Sequence, residues 1–161
     1  KPILGTEQQK KYDASANIKQ TANNVLQVLD LIESGKLTGA EAKTRLNFVA
    51  GEAAKGAFGE AGKQFTPMEY SLIIGTIPTL KQAKEVGLLK KVLGYTPPSP
   101  TGEVIDDYKT LRTKMNMALS IADQNLAKFE GKSIPQLDLD KMNLQLQDSK
   151  AKESNAFMGL M

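Results

Sequence analysis

Cysteine, histidine and tryptophan are all absent from this 161-residue chain, and each absence removes a body of chemistry. Without Cys there is no disulfide framework, thiol nucleophile, thiolate zinc site or iron–sulfur cluster, and a reducing compartment is a natural setting. Without His there is no Ser-His-Asp triad, His-ligated metal or imidazole base. Aromatic residues make up 6% of the chain, so a core must be built from Leu, Ile, Val, Ala and Met. No run approaches the roughly 18 apolar residues of a membrane span. Lys1-Pro2 is not followed by the apolar segment of a signal peptide. The chain begins at Lys1, as a trimmed or partial product would. Nor is there a strong excess of one charge: 21 Lys and Arg stand against 18 Asp and Glu, a net charge of +3. Carboxylates, Lys, Tyr, Ser, Thr and the backbone remain for any chemistry. The composition therefore points to a helical structural or binding protein, with no catalytic residue, metal ligand or cofactor assigned.

Helical grammar dominates what is present. Ile18, Ala22, Val25, Leu29 and Ile32 alternate spacings of four and three, which predicts a first long helix over Thr6 to Glu33, stopped by Ser34-Gly35. Thr38 and Glu41 have the spacing of a capping box opening a second helix. That helix runs into a stretch containing Gly51, Gly56, Gly59 and Gly62, which reads either as a tight helix–helix seam or hinge, or as a weak helix breaking into turns. Phe65-Thr66-Pro67-Met68-Glu69-Tyr70 is a fuller start signal. Thr66 stands at the N-cap, Pro67 at the first helical position and Glu69 at the third, with Phe65 and Tyr70 as a hydrophobic staple. Gly75-Thr76-Ile77-Pro78 ends this short helix. Thr79 with Gln82 then reads as the start of a fourth helix carrying Leu80, Ala83, Val86, Leu89 and Leu93. Residues 96–102 form a Pro-rich linker. With Thr101 as N-cap, a long fifth helix is expected over about Gly102 to Glu130, striped by Val104, Tyr108, Leu111, Met115, Ala118, Ala122, Asn125 and Phe129 and widened by Leu119 and Leu126. Beyond Gly131, Ile134, Leu137 and Leu139, then Leu144 and Leu146, recur mostly at period two, which predicts extended segments that order by docking on a neighbour.

The acidic residues read as structural. Glu41 and Glu69 are helix-capping residues with Thr38 and Thr66, and Asp106 and Asp107 complement the dipole of the long helix. Asp138 and Asp140 lack the Gly-containing loop and closing Glu of a calcium site. The Gly-rich stretch lacks the Lys-Ser/Thr ending of a phosphate loop. From residue 35 to 100 nine basic side chains outnumber five glutamates, and Lys81, Lys84, Lys90 and Lys91 are candidate phosphate contacts. Arg45 and Arg112 are the only arginines, too few for bidentate base readout.

Leu37-Thr38-x-x-Glu41, Phe65-Thr66-Pro67-x-Glu69 and Ile77-Pro78, followed by the long heptad-patterned segment, resemble helical virion proteins of tailed bacteriophages, in their internal, ejection and tail-associated classes. The resemblance covers roughly residues 18–131. It implies a non-enzymatic, many-copy role in a particle, with other copies and other virion proteins as partners, and non-specific DNA or membrane contact during delivery. The virion is the implied location, with the cytoplasm as the setting otherwise. Glu153-Ser154 and Gly159-Leu160-Met161 also resemble elements of lytic transglycosylases, but in that family they lie far apart in a folded domain, and the compressed spacing here reads as coincidence.

Taken together, the expectation is an all-α protein: an elongated helical bundle with two long heptad-patterned helices, three shorter helices between them and an extended C-terminal tail. Residues 1–95 would form an N-terminal helical region, 103–131 a long helix packed on it, and 132–161 the docking tail. The expected function is a structural subunit of a multi-copy assembly. A nucleic-acid-binding accessory protein using the basic middle and a carboxylate-based peptidoglycan hydrolase are the alternatives.

Overall fold

A computed structural model describes residues 5–58, 64–81, 102–131, 141 and 144–148. These are mostly helical, with one small antiparallel sheet. Helix α1 spans Thr6–Glu33, α2 Gly39–Phe58 and α3 Pro67–Gly75. Strand β1 (Leu80–Lys81) pairs with β2 (Glu103–Val104) in the register Leu80 to Val104 and Lys81 to Glu103. Helix α4 spans Tyr108–Phe129. Residues 144–148 are also helical.

Helix α1 has the expected limits. Gly35 takes a φ of 77° and Gly131 a φ of 70°, the left-handed conformation that stops α1 and α4 at low steric cost. The apolar stripe of α1 is buried at Ala14, Ile18, Ala22, Val25, Val28 and Leu29. Its main partner is α4. Tyr12 meets Phe129 edge to face at 6.2 Å, Lys19 pairs with Asp123 at 2.8 Å, and Arg112 reaches Asp30 at 3.1 Å and Glu33 at 3.0 Å. Low numbers on one helix meet high numbers on the other, so the two run antiparallel.

Helix α4 buries more than a heptad seam. Leu111, Met115, Ala118, Ala122 and Asn125 lie on one stripe, and Thr110, Lys114, Met117 and Ile121 beside it are buried as well. The stripe is broad because α4 is packed by both α1 and α3. The long stripes of α1 and α4 thus cover each other within one chain.

The Gly-rich stretch stays helical through Gly51 and Gly56 to Phe58, while Gly59 and Gly62 lie outside the described residues. A Cβ at Gly56 would lie 3.0 Å from Asn17 Oδ1 of α1, and Ala50, Ala53, Ala54 and Ala57 are buried. Of the readings open from sequence, this part is a close helix–helix seam, where small side chains let the backbones approach.

Three expectations need correction. The fold is not purely helical, because the helix expected to open at Thr79 is replaced at Leu80–Lys81 by a strand; the rest of that segment and the Pro-rich linker lie outside the described residues. Helix α4 begins six residues later than Gly102, with Asp107 rather than Thr101 at its N-cap: the Asp107 carboxylate accepts from the Thr110 amide at 2.7 Å. Val104, first in the expected heptad, is therefore in β2, and Tyr108 is exposed. Last, residues 144–148 are helical rather than extended. Leu146 is 4% exposed and joins the main core, whereas Leu144 is exposed.

Because Leu29 has no exposed surface at the α1–α4 seam, Leu29→Ala should destabilise the protein by about 2–5 kcal/mol through lost transfer energy plus a residual cavity. Urea denaturation followed by circular dichroism measures it. A loss below about 1 kcal/mol would show that the seam is not packed as described.

Candidate functional site

Among the described residues the polar side chains converge at two places, and both tie elements together. The first is centred on Asp106, between β2 and α4. Its side chain has no exposed surface, and neither does most of Lys114, nearly two turns into α4. Lys114 Nζ donates to Asp106 Oδ1 at 3.0 Å and to Thr79 Oγ1 at 3.3 Å. The Thr79 amide donates to the other carboxylate oxygen at 2.8 Å, and the Ile105 amide donates to Thr79 O at 3.0 Å. Both oxygens of Asp106 are thereby engaged. Thr79 cannot also cap a helix in the way its spacing with Gln82 suggested, because its backbone is committed to Asp106 and Ile105. Asp106 was expected to act on the helix dipole; it is instead the anion of a buried pair, and Asp107 beside it is the cap. Lys114 was the residue that sequence reading missed. The available signal was a lysine lying, around the helix, between Leu111, Met115 and Ala118 on the one side and Ile121 and Met117 on the other, inside an apolar stripe.

The second cluster is built on the start of α3. Thr66 Oγ1 accepts from the Glu69 amide at 3.3 Å and donates its own proton to Glu69 Oε1 at 2.8 Å. Glu69 therefore takes the Thr66 hydroxyl, where a standard capping box would have it reach the N-cap amide. Its other oxygen accepts from Asn125 Nδ2 of α4 at 2.7 Å. Lys11 of α1 stands 3.9 Å from Oε1 and also lies 5.9 Å from the centre of the Phe65 ring. One carboxylate thus links α3 to α1 and α4. Burial alone would raise the Glu69 pKa, but the hydrogen bonds from Asn125 and Thr66 and the charges of Lys11 and Lys128 outweigh it, and the carboxyl is held below the usual range.

The other sequence-predicted residues are dispersed. Thr38 and Glu41 are exposed. The turn into α2 is made by Gly39 at a φ of 63°, with the Ala42 amide donating to Thr38 O at 3.3 Å. Lys81 is exposed on β1. Lys84, Lys90 and Lys91 lie outside the described residues, as do Ile134, Leu137 and Leu139. Leu144 and Leu146 point to different environments, one solvent and the other the core.

A groove of about 470 Å³ opens where the end of α1, the start of α2, β2 and the start of α4 meet. Ile32, Leu37, Leu46 and Val104 give it apolar walls, and Lys43 and Asn47 stand among its polar groups. Asn47 Oδ1 accepts from the Val104 amide at 2.9 Å, which uses the outer edge of β2. Lys43 lies 2.6 Å from Glu103. The hydrogen bond and charge of Lys43 lower the Glu103 pKa. Among the described residues no three His, Cys, Asp or Glu side chains gather in a way that could hold a metal ion, and no helix is long and apolar enough to cross a membrane. The acidic groups at Asp106, Asp107 and Glu69 each serve as a cap or a tie between elements. No protein-family model, curated protein or solved structure matches the chain.

Two measurements test these ties. Lys114→Met leaves Asp106 buried without its counter-charge and should cost about 3–5 kcal/mol, much of it recovered in the double variant with Asp106→Asn; a double-mutant cycle by urea denaturation reads the coupling. For Glu69, the folded pKa lies below the unfolded value, so its stabilisation is present above about pH 4.3 and fades as pH falls through the folded pKa. Wild type should therefore exceed Glu69→Gln in stability at pH 7, and the gap should narrow by pH 3. A gap independent of pH would show that the charge of Glu69 does not contribute.

Proposed function

We propose that this chain is a non-enzymatic structural subunit of a multi-copy assembly, a virion protein of the internal, ejection or tail-associated kind found in tailed bacteriophages. The observation that carries the reading is the placement of large apolar side chains in solvent on separate elements. Phe48 on α2 is 57% exposed, Met68 on α3 56%, and Ile105 between β2 and α4 59%. Single exposed apolar residues are ordinary on monomers, but contacts with other subunits would give these three, on three different elements, a common purpose. The use of Asp106, Asp107 and Glu69 as ties is consistent with the same reading, since it leaves these acids bound to structural partners. In this role α1 and α4, with their heptad-like stripes, supply the stiff part of an elongated bundle, and contacts to other copies and other virion proteins are made at its surface. Non-specific DNA contact through the basic middle and surface contact with a membrane during delivery belong to the same picture.

Sedimentation velocity over a rising concentration series tests it. The weight-average mass should climb above the 17.5 kDa of one chain. Phe48→Ser with Ile105→Ser should weaken association roughly tenfold or more while leaving the melting temperature nearly unchanged. A wild-type chain that stays monomeric throughout the series would overturn the reading.

A further inference from the structure

Helix α3 has apolar residues on more than one face. Leu72 and Ile73 are buried, whereas Met68 and Ile74 are exposed. At its C-terminal end Gly75 forms a socket: a Cβ there would lie 3.0 Å from Leu146 Cδ1. Leu146 fills the socket and is 4% exposed, while both of its neighbours in the short helical segment are exposed. Leu146 thus packs residues 144–148 onto the core beside α3.

The connection to this anchor is long for the distance it spans. Glu69 of α3 meets Asn125 of α4, and Thr79, just beyond α3, meets Lys114, so α3 runs antiparallel to α4. From the end of α4 to Gly75 is therefore about 20 Å, counting helical rise and one interhelical spacing. The chain from Gly131 to Leu146, even with helical rise from Lys141 onward, can reach about 40 Å. The surplus is enough to carry Leu146 to the same socket on an adjacent copy, and the contact made there would be the same contact. Exchange of an identical element between copies is a low-cost route to association.

We propose that the Gly75 socket is an assembly site whose occupant is the Leu146 segment of a second copy of this chain, so that copies join by exchanging their C-terminal segments. The proposal rests on the assembly reading above and assigns it a surface. Within a lone chain Leu146 closes its own socket. At high local concentration it closes a neighbour's, with the core contact preserved and the connection stretched between the two copies.

Two full-length variants separate the halves of the contact. Gly75→Leu fills the socket but leaves the segment intact; Leu146→Asp spoils the segment but leaves the socket open. Each alone should be monomeric with wild-type helix content by circular dichroism. Mixed in equal amounts, they should give a species of about twice 17.5 kDa by light scattering, since one productive pairing remains. Failure of the folded variants to combine would overturn the exchange. The absence of native cysteine allows a second measurement that does not depend on filling the socket. Gly75→Cys and Leu146→Cys chains, mixed and oxidised at high concentration, should give a disulfide heterodimer in several-fold excess over either homodimer. A heterodimer yield no greater than random pairing gives would overturn the proposal. If wild type associates on sedimentation while both mixtures fail, assembly uses another surface and only the exchange is lost. If wild type also stays monomeric, both readings fall.

Discussion

A carboxylate removed from solvent must find its counter-charge inside the protein, because an unpaired buried charge is among the most expensive defects a fold can carry. Asp106 meets that requirement through Lys114 and the Thr79 amide. Much of the architecture around it follows. Lys114 holds the first turns of α4 against the segment leaving α3. Thr79 is drawn into an extended conformation, which places Leu80 and Lys81 where they can pair with Val104 and Glu103. The strand pair brings Val104 beside Asn47 of α2, so that α2, α3 and α4 meet around one buried ion pair.

The second constraint is the two-sided burial of α4. A helix with a narrow seam can serve one partner; α4 serves α1 along Leu111, Met115, Ala118 and Ala122, and reaches α3 through Asn125 and Glu69. Donor groups on so buried a helix need partners, and Asn125 Nδ2 and Lys114 Nζ have them at the two ends of α3. These two ties set the direction of α3 against α4 and leave its outer face, with the Gly75 socket, to be covered by Leu146.

Legibility from sequence varied with the range of the interaction. The limits of α1 were readable because Gly35 and a regular apolar stripe act within a few residues. Thr66, Pro67 and Glu69 marked α3 for the same reason, and the Thr66–Glu69 contact is three positions apart. Beside Thr38, whose spacing to Glu41 marked the start of α2, Gly39 takes a left-handed φ that the spacing does not signal. The start of α4 was misplaced because Val104 and Tyr108 happen to continue its stripe, although Asp107 provides the cap. Leu144 and Leu146 suggested an extended segment by their spacing of two, but the segment is helical and only Leu146 enters the core, beside Gly75.

The sequence alone therefore determined that the chain is helical, where α1 and α3 begin and end, and which chemistry is excluded by the absence of Cys, His and Trp. Those properties follow from composition and from interactions along a few consecutive residues. Tertiary structure alone decided that Thr79 leads into a strand, that Lys114 is buried with Asp106, and that Leu146 closes a socket on α3. The reason is separation: Thr79 and Asp106 are 27 positions apart, and Thr79 and Lys114 are 35 apart. A periodicity read in short windows carries no information about a charge that will be neutralised from so far along the chain.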